Sequence, residues 1–356
     1  MERETKVSLR EVESIYDKEY SILINKKSIG RVIVYNEDLS HVYLDEGELE
    51  IGYEIDEAYR HHGYGIKVVK KALEKLFSLR YKRIYAVYDK HNTASYRLLL
   101  NCGFSHEDKL DDDTNCLSIT LEEYRKAYLE DLEKKLYAHQ DLKYRSFHQG
   151  LIPNVDQRTL IGIRVPEMRK IAKELSKCED YVLFLDSLPH TYYEENLIHM
   201  LLIGEIKDYA LAMSEVKKFL PYIDNWAVCD AQPPKIFDKR HKEVLTEASS
   251  LLTSSHTYTV RYGIGLYRHY GLKEEYTYED MYRIASIDTE EYYINMMISW
   301  YLATCMIDHY EDVYELLKTH KLSYFVHHKT IQKAVESRRI STKHKEELKL
   351  LRYRSA

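Results

Sequence analysis

The strongest chemical signal in the sequence is a glycine-rich turn of six consecutive residues: Arg60, His61, His62, Gly63, Tyr64 and Gly65. The turn follows a predicted strand at 50–55 and opens a predicted helix at 65–79. A tight turn at the start of a helix leaves several backbone N–H groups unpaired, and the helix dipole makes that end positive. Such donors are suited to bind a pyrophosphate, and glycines let it approach the backbone closely. The alternative interpretation is an ordinary glycine turn.

A second group of polar residues follows one predicted strand later. Asn92 precedes a predicted helix at 93–100 and can cap it, and Ser95 lies in its first turn. The helix is followed by the sequence NCGF at 101–104. Upstream of the glycine-rich turn, Glu54 is a candidate general base, acting directly or through a water molecule. A solvated carboxylate at a sheet edge is the alternative interpretation of Glu54.

A third group lies in the second half of the chain, which contains both tryptophans, Trp226 and Trp300. Asp230 follows Trp226 by one helical turn, so the indole and the carboxylate share one helix face. Arg261 opens another amphipathic helix, and Arg268 lies two turns further along it. Each residue alone is more often structural, because a single tryptophan is usually part of a core and Asp230 could cap the segment before a proline.

The first two groups belong to a wider resemblance. The segments IGYEIDEAYRHHGYGIKVVKKAL and NTASYRLLLNCGF resemble the GNAT superfamily of acyl-CoA N-acyltransferases over residues 5–125, closest to the branch that includes the ribosomal-protein N-terminal acetyltransferases. The resemblance implies that acetyl-CoA is the cofactor, with its pyrophosphate on the glycine-rich turn and its pantetheine beside Asn92 and Ser95. An unknown amine would attack the thioester directly. Many relatives have a tyrosine general acid where this chain has Leu99, so that role does not transfer, and Tyr96 lies at a different angle on the same helix.

The third group belongs to a second resemblance. Residues 144–176 and the segments IDNWAVCD, HTYTVRYGIG, EEYYINMMISWYLAT and HHKTIQKAVESRRIS resemble the AlkD-like DNA alkylation repair proteins over residues 133–352. Known glycosylases of that family excise cationic N3- and N7-alkylpurines from duplex DNA. The resemblance implies that Trp226 and Trp300 pack against the sugar-phosphate backbone of the lesion. It also implies that Asp230 stabilises the oxocarbenium-like sugar and positions water, and that Arg261, with Arg268 beyond it, contacts phosphate.

One departure weakens the second resemblance. Active relatives can carry a further arginine where this chain has Ala303. Three hypotheses therefore stay open. The chain is a bifunctional acetyltransferase and alkylpurine glycosylase, or an acetyltransferase whose helical half is a non-catalytic module that binds nucleic acid or protein, or a pair of degenerate scaffolds.

The elements that position these residues differ between the two halves. Short runs rich in Ile, Val and Tyr predict strands at 21–24, 29–35, 41–44, 50–55, 83–88 and 116–121, with the two helices between them. Beyond residue 121, one segment after another has helical spacing, and their connections are short. We therefore expect two domains: an α/β acetyltransferase domain at 1–128, with a mixed central sheet flanked by helices, and an all-α solenoid of HEAT-like repeats at 129–356.

Composition limits the remaining possibilities. Neither half is basic, with 20 Lys and Arg against 25 Asp and Glu in residues 1–130 and 32 against 33 in residues 131–356. A nucleic-acid surface must therefore be a local patch.

The five cysteines are scattered, and there is no CxxC or HExxH pattern, so we expect reduced thiols and no metal. The N-terminus has no signal-peptide pattern, and the longest apolar run, at 296–307, is too short for a bilayer, so we expect a cytoplasmic protein without membrane contact.

Overall fold

The computed structural model describes residues 6–14, 16, 18–35 and 37–353 of the chain. The chain divides into two compact units. The first comprises Met1–Ala138 and Lys177–Ser187, and the second comprises His139–Ser176 and Leu188–Ala356. The expected division after residue 128 falls inside a helix that spans Leu121–Tyr137. The structure divides only after that helix has ended, and a later segment then returns to the first unit.

Seven strands of the first unit form one sheet within the described residues: β1 Val7–Val12, β2 Lys18–Ile24, β3 Lys27–Tyr35, β4 Glu48–Ile55, β5 Arg83–Asp89, β6 His106–Lys109 and β7 Thr114–Thr120. Their order in the sheet is β1-β2-β3-β4-β5-β7-β6. All neighbours are antiparallel except β4 and β5, which run parallel. Alternate residues of β2, Tyr20, Ile22 and Ile24, are buried, as expected for a strand with one face on a core.

The parallel pair β4 and β5 is joined for only part of its length. Glu48, Leu49 and Glu50 of β4 pair with the first three residues of β5, and the last aligned residues are Glu50 and Tyr85. Beyond that point the register between the two strands ends, although both strands continue. The facing edges of β4 and β5 therefore keep backbone groups that need partners. We name this opening the β4/β5 cleft.

Sixteen α-helices are described across the two units: α1 Tyr64–Ser78, α2 Thr93–Asn101, α3 Leu121–Tyr137, α4 Leu142–Gln149, α5 Val165–Leu175, α6 Tyr181–Leu185, α7 Tyr193–Ile203, α8 Tyr209–Phe219, α9 Trp226–Cys229, α10 His241–Leu251, α11 Thr257–Tyr270, α12 Tyr278–Ala285, α13 Tyr292–Cys305, α14 Tyr310–Lys318, α15 Tyr324–Glu336 and α16 Thr342–Leu350. Helix α1 crosses from β4 to β5 and buries Val69, Leu73 and Leu76, which lie at helical spacing on one face. Asn92 caps α2, because its Oδ1 accepts the Ser95 backbone N–H at 3.0 Å. No helix in the described part of the chain combines the length and apolarity needed to cross a membrane.

The segment 177–187, which contains α6, completes the core of the first unit. Leu183 is fully buried in the same apolar cluster as Phe77 of α1 and the sheet residues. Polar contacts flank it: the Tyr124 hydroxyl donates to Asp180 at 2.7 Å, and the backbone N–H of Glu179 donates to Glu74 at 2.6 Å. The first unit therefore takes part of its core from chain that follows the start of the second unit.

The second unit is built from helices that pack in succession. A central row is formed by α5, α7, α9, α11, α13 and α15, each in contact with the next. The helices α8, α10, α12, α14 and α16 pack against members of this row. The expected fold class, a mixed sheet with flanking helices followed by an all-α repeat domain, is confirmed.

Several elements differ from the sequence-based expectations. The predicted strand at 41–44 is wrong, because these residues lie in the loop between β3 and β4. Ser40 and His41 bond to the side chain of Glu50 and not to the backbone of a neighbouring strand. Strands β1 and β6 were not predicted, and in β6 all four residues are exposed and show no apolar alternation. The helices α4, α6 and α16 were missed as well.

Replacing Leu183 with alanine should destabilise the first unit by about 2–5 kcal/mol, because deleting a buried leucine side chain leaves a cavity. Both tryptophans lie in the second unit, so their fluorescence follows that unit, whereas circular dichroism follows both. We expect Leu183→Ala to shift the unfolding transition seen by circular dichroism and to leave the fluorescence transition in place. The control Leu197→Ala, in α7, should shift the fluorescence transition. A Leu183→Ala effect confined to fluorescence would contradict the placement of this segment.

Candidate functional site

The glycine-rich turn presents free backbone donors to solvent. Residues 60–63 are exposed, and α1 has no side-chain cap at its N-terminus. Among the described residues, the backbone N–H groups from His61 to Gly65 meet no protein acceptor. The Arg60 side chain is held at the end of β4, where its Nε donates to the carbonyl of Ile55 at 2.9 Å. The turn is therefore open and positively polarised, as an anion site requires.

The two glycines of this turn have different structural roles. Gly63 has φ +73°, a backbone conformation that favours glycine, and a Cβ there would have no described heavy atom within 4 Å. Gly65 has no positive φ, and a Cβ there would collide with the Leu98 side chain of α2. Gly65 thus also serves the packing of α1 against α2, and its expected role in cofactor binding stays a prediction.

A tyrosine that sequence reasoning missed connects the two sides of the β4/β5 cleft. The Tyr53 hydroxyl, from β4, lies 2.8 Å from the Ser95 hydroxyl at the start of α2. Burial raises the pKa of Tyr53, so the phenol keeps its proton at neutral pH. Leu99, in the position where relatives can have a tyrosine, is fully buried. The phenol at this cleft therefore comes from β4. The only sequence signal for Tyr53 was its place in the alternating pattern of the strand, next to Gly52.

The carboxylate of Glu54 is exposed and already paired. Its Oε2 lies 3.2 Å from Arg31 Nε, and its side chain is 58% exposed. Glu54 alternates with Tyr53 along β4, so the two side chains point to opposite faces of the sheet. One of the two carboxylate oxygens of Glu54 is therefore engaged by Arg31.

A buried carboxylate on the face of β4 that carries Glu54, opposite Tyr53, orients a histidine. Glu50 is 1% exposed and accepts hydrogen bonds from the Ser40 hydroxyl at 2.8 Å and from the His41 backbone N–H at 2.7 Å. His41 Nδ1 lies 2.8 Å from the other oxygen of Glu50. Because an ionised carboxylate only accepts, Nδ1 carries a proton, and in the neutral ring Nε2 is the acceptor. His41 was assigned to a strand at the sequence level, and its role was missed.

Glu50 stands at the closed end of the β4/β5 cleft, where it is aligned with Tyr85 in the last pair of the two strands. The turn of 60–65 follows the opposite end of β4. The cleft thus has a turn with free N–H groups beyond its open end and a histidine–carboxylate pair at its closed end.

In the second unit, Asp230 and Arg261 form a buried, two-pronged ion pair. Arg261 Nε donates to Asp230 Oδ1 at 2.9 Å, and Nη2 donates to Oδ2 at 2.5 Å. The remaining nitrogen of the guanidinium, Nη1, donates to the Tyr293 carbonyl at 2.7 Å, and Arg261 is 5% exposed. The expected phosphate contact by Arg261 therefore needs correction. Its hydrogen-bonding groups are engaged inside the protein, where they fix Asp230.

The two tryptophans are held in different ways. Trp226 is half-buried, and its indole N–H donates to the Leu151 carbonyl at 2.9 Å. Trp300 is exposed, and two cations lie against its ring: Arg268 with Cζ at 4.1 Å from the centroid, and Lys333 with Nζ at 5.6 Å. Burial lowers the pKa of both cations from their ordinary values. Arg268 therefore links the Asp230 region to Trp300.

A cavity of about 420 Å³ lies beside Trp300. Its lining includes the cations Arg268, Lys333 and Arg339, the carboxylate of Glu336 and the small side chain of Ala303. Within the described residues, these three cations form no ion pair with a carboxylate. In the basic stretch at 235–242, Lys235 pairs with Glu205 at 2.7 Å and Arg240 with Glu243 at 3.0 Å, whereas no ion pair is described for Lys239 and Lys242. The cations beside Trp300 come from α11, α15 and the segment that follows α15.

Comparison with protein families yields two matches. A family model described as "DNA alkylation repair enzyme" matches residues 128–337, more than half of the chain. A model described as "Acetyltransferase (GNAT) domain" matches residues 3–105. No match to a curated protein was found.

Solved structures with similarity to this chain include three acetyltransferases. Aminoglycoside acetyltransferase AAC(6')-Ib in complex with coenzyme A is 18% identical, with 31% of this chain and 69% of that chain covered and a TM-score of 0.28. An acetyltransferase of the GNAT family from Bacillus anthracis is 20% identical, with coverages of 29% and 66% and a TM-score of 0.25. Spermidine N-acetyltransferase from Vibrio cholerae, with CoA and spermine, is 19% identical, with coverages of 30% and 67% and a TM-score of 0.26. The match thus spans about two thirds of each of these proteins.

Replacing Arg261 with glutamine should destabilise the second unit by about 3–5 kcal/mol, because it leaves the carboxylate of Asp230 buried without its partner. The double variant Asp230→Asn/Arg261→Gln should cost less than the sum of the single changes, since neither charge is then left alone. Tryptophan fluorescence during denaturant unfolding measures both effects. As a control, Arg240→Gln removes an exposed pair and should change the midpoint little. Additive effects at positions 230 and 261 would contradict the coupling.

Proposed function

The chain belongs to the family of DNA alkylation repair enzymes and carries a GNAT acetyltransferase domain, and from this premise we propose that it is a bifunctional protein. The first unit acts as an acetyl-CoA-dependent N-acetyltransferase on an amine that is still to be identified. The second unit binds duplex DNA and excises N3- or N7-alkylpurines. The observation that carries the first proposal is the set of free N–H groups at 61–65 beside the open β4/β5 cleft.

The proposed cofactor site follows from the unmet hydrogen-bonding capacity of the first unit. The backbone N–H groups from His61 to Gly65 would hold the pyrophosphate, with the positive end of α1 behind them. The edges of β4 and β5 beyond Glu50 would bond the amides of the pantetheine arm, and Asn92 and Ser95 would line its thiol end. Acetyl-CoA supplies the activated acetyl group. Backbone N–H groups on the β4 edge are suited to stabilise negative charge on its carbonyl oxygen.

Two pairs of side chains would handle protons in this reaction. His41 Nε2, with Nδ1 held by Glu50, is placed to accept a proton from the attacking amine at the closed end of the cleft. Tyr53, hydrogen-bonded to Ser95, is placed to donate a proton to the departing thiolate. Glu54 remains the competing base, and its pairing with Arg31 favours His41 over it.

Acetyl-CoA should raise the melting temperature of the wild type, because a ligand that binds only the folded state stabilises it. Gly63→Ala should lose most of this shift, since the added methyl group stands among the phosphate-binding N–H groups. Gly47→Ala is the matched control, because Gly47 also has a positive φ, +87°, and a Cβ there meets only the flexible side chain of Lys82. Both variants carry the same kind of backbone strain. Equal ligand shifts in the two variants would show that the turn does not bind the pyrophosphate.

The acceptor can be identified by a screen with labelled acetyl-CoA. The panel should contain polyamines, aminoglycoside antibiotics, peptides with free N-termini and alkylated nucleobases. Transfer of label to any class of amine would support the proposed activity. No transfer to any amine, from protein that binds acetyl-CoA, would count against an N-acetyltransferase.

With the acceptor in hand, the pH dependence of kcat/KM separates the two candidate bases. A general base must be deprotonated, so activity falls on the acidic side of the profile. We expect His41→Gln to lower kcat/KM and to abolish this acidic limb, and Glu50→Gln to lower kcat/KM as well, because Glu50 positions the ring. Glu54→Gln should keep the wild-type profile. The reverse pattern, with the limb lost only in Glu54→Gln, would assign the base to Glu54.

The proposal for the second unit rests on the arrangement around Asp230. A cationic alkylpurine is already a good leaving group, so its release needs mainly an anion near the developing positive charge on the sugar. Asp230, held by Arg261, supplies a fixed carboxylate. Arg268, Lys333 and Arg339 would contact phosphates, and the exposed ring of Trp300 would pack against the sugar-phosphate backbone, as would Trp226.

The alternative is a helical unit that binds nucleic acid or a protein partner without catalysis. Two observations favour it: Arg261 neutralises Asp230, and Ala303 replaces an arginine that active relatives can carry. The local cluster of unpaired cations favours DNA over a protein partner.

Release of 7-methylguanine from duplex DNA discriminates between excision and binding alone. We expect the wild type to release the base and Asp230→Asn to lose most of this activity while still binding the duplex. Lys333→Ala should weaken binding of damaged and undamaged duplexes alike and reduce its salt dependence, because it removes a phosphate contact. Binding without release in the wild type would select the non-catalytic alternative. Unchanged release by Asp230→Asn would remove Asp230 from the mechanism.

A further inference from the structure

Gly265 lies in the interior of α11 at a place where neither packing nor backbone conformation requires a glycine. Its φ is not positive, and the nearest atom that a Cβ would meet is Met297 Cε at 3.9 Å, an ordinary contact. A glycine inside a helix is less favourable than alanine, because it loses more backbone entropy on folding. The chain therefore tolerates a cost in helix stability at Gly265 that the packing of α11 does not explain.

The neighbouring glycine of the same helix shows the contrast. A Cβ at Gly263 would lie 3.1 Å from the Ala248 carbonyl and 3.1 Å from Leu251 Cβ. These contacts are tight, and one of them is to backbone, so Gly263 is needed for α11 to approach α10. Gly265 lacks any such neighbour.

Gly265 lines a cavity next to the Asp230–Arg261 ion pair. The cavity measures about 10 Å³, close to the smallest volume that admits one water molecule. Asp230, Arg261 and Arg268 also line it. The Nε of Arg268 is buried and, within the described residues, has no hydrogen-bond partner, while its Nη2 lies 3.0 Å from His269 Nε2. A donor and a carboxylate thus border a space that a methyl group at Gly265 would narrow.

We propose that Gly265 is an activity-determining residue that keeps room for one water-sized nucleophile beside Asp230. This inference rests on the excision proposed above. In that reaction the oxygen of a water molecule bonds to C1′ of the sugar while the C1′–N9 bond of a 7-alkylguanine breaks. The bonding electrons neutralise the purine, and a proton of the water passes to the Asp230 carboxylate. Arg268 Nε–H is the donor that orients the water, and Gly265 provides the space.

The test compares Gly265→Ala with Gly263→Ala in the full chain. Gly265→Ala should raise the melting midpoint seen by tryptophan fluorescence by about 2–4 °C, because alanine is the better helix former. It should also slow release of 7-methylguanine from duplex DNA by at least about tenfold, since the water is displaced. Gly263→Ala should lower the midpoint and keep the wild-type release rate below its unfolding transition.

Three results would overturn the proposal, and they are distinguishable. Full activity in Gly265→Ala, with an active wild type, refutes the role of Gly265 and leaves excision intact. Lost activity together with a lowered melting midpoint contradicts the premise that packing does not require a glycine at position 265, and it overturns the proposal. A wild type that releases no base refutes the excision itself, and the role of Gly265 with it.

Discussion

A polar group that has no partner within the protein can bond to a ligand, and both candidate sites contain such groups. Some buried polar groups of the chain are fully paired within the protein instead. The buried carboxylate of Glu194, for example, accepts the backbone N–H groups of Ile161, Gly162 and Ile163 at 3.0, 2.6 and 3.2 Å. By contrast, the exposed N–H groups at 61–65, the open edges of β4 and β5 and the buried Nε of Arg268 have no partner within the described residues. At each of these places a ligand can supply the missing partner.

The early separation of β4 and β5 organises the whole first unit. A parallel pair needs a crossover, and α1 provides it, so the start of α1 and its free N–H groups follow the open end of the cleft. Antiparallel pairing of β3 with β4 puts the intervening loop at the closed end, which brings His41 to Glu50. The two ends of one strand thus carry two different chemical functions.

Neither the presence of a glycine nor the net charge of a unit indicates by itself what a residue does. Gly63 provides a backbone conformation, Gly65 provides space for a neighbouring helix, and Gly265 has neither reason in the packing around it. Similarly, the second unit is almost neutral, yet its cations are unevenly paired. Lys235 and Arg240 form ion pairs, whereas no ion pair is described for Lys333 and Arg339, although Glu336 lines the same cavity. Function follows the local arrangement, because screening confines electrostatic effects to short distances.

The sequence by itself determined the elements whose signal is local. Period-2 and helical spacing identified most strands and helices, and a strand, a glycine-rich turn and a helix in succession located the free N–H groups at 61–65. Motif spacing also separated the two families along the chain. Strand β6 and the short helix α6 escaped, since one has no apolar alternation and the other is too short for helical periodicity to be seen.

Only the tertiary structure decided which distant residues meet. Ser95 with Tyr53, His41 with Glu50, and Asp230 with Arg261 are pairs brought together by strand register and helix packing, which no local pattern encodes. Helix packing also engages Arg261 within the protein, and it places Leu183 in the core of the first unit. Side-chain partnership depends on the relative position of whole elements, and that position is set by the burial of all their apolar faces at once.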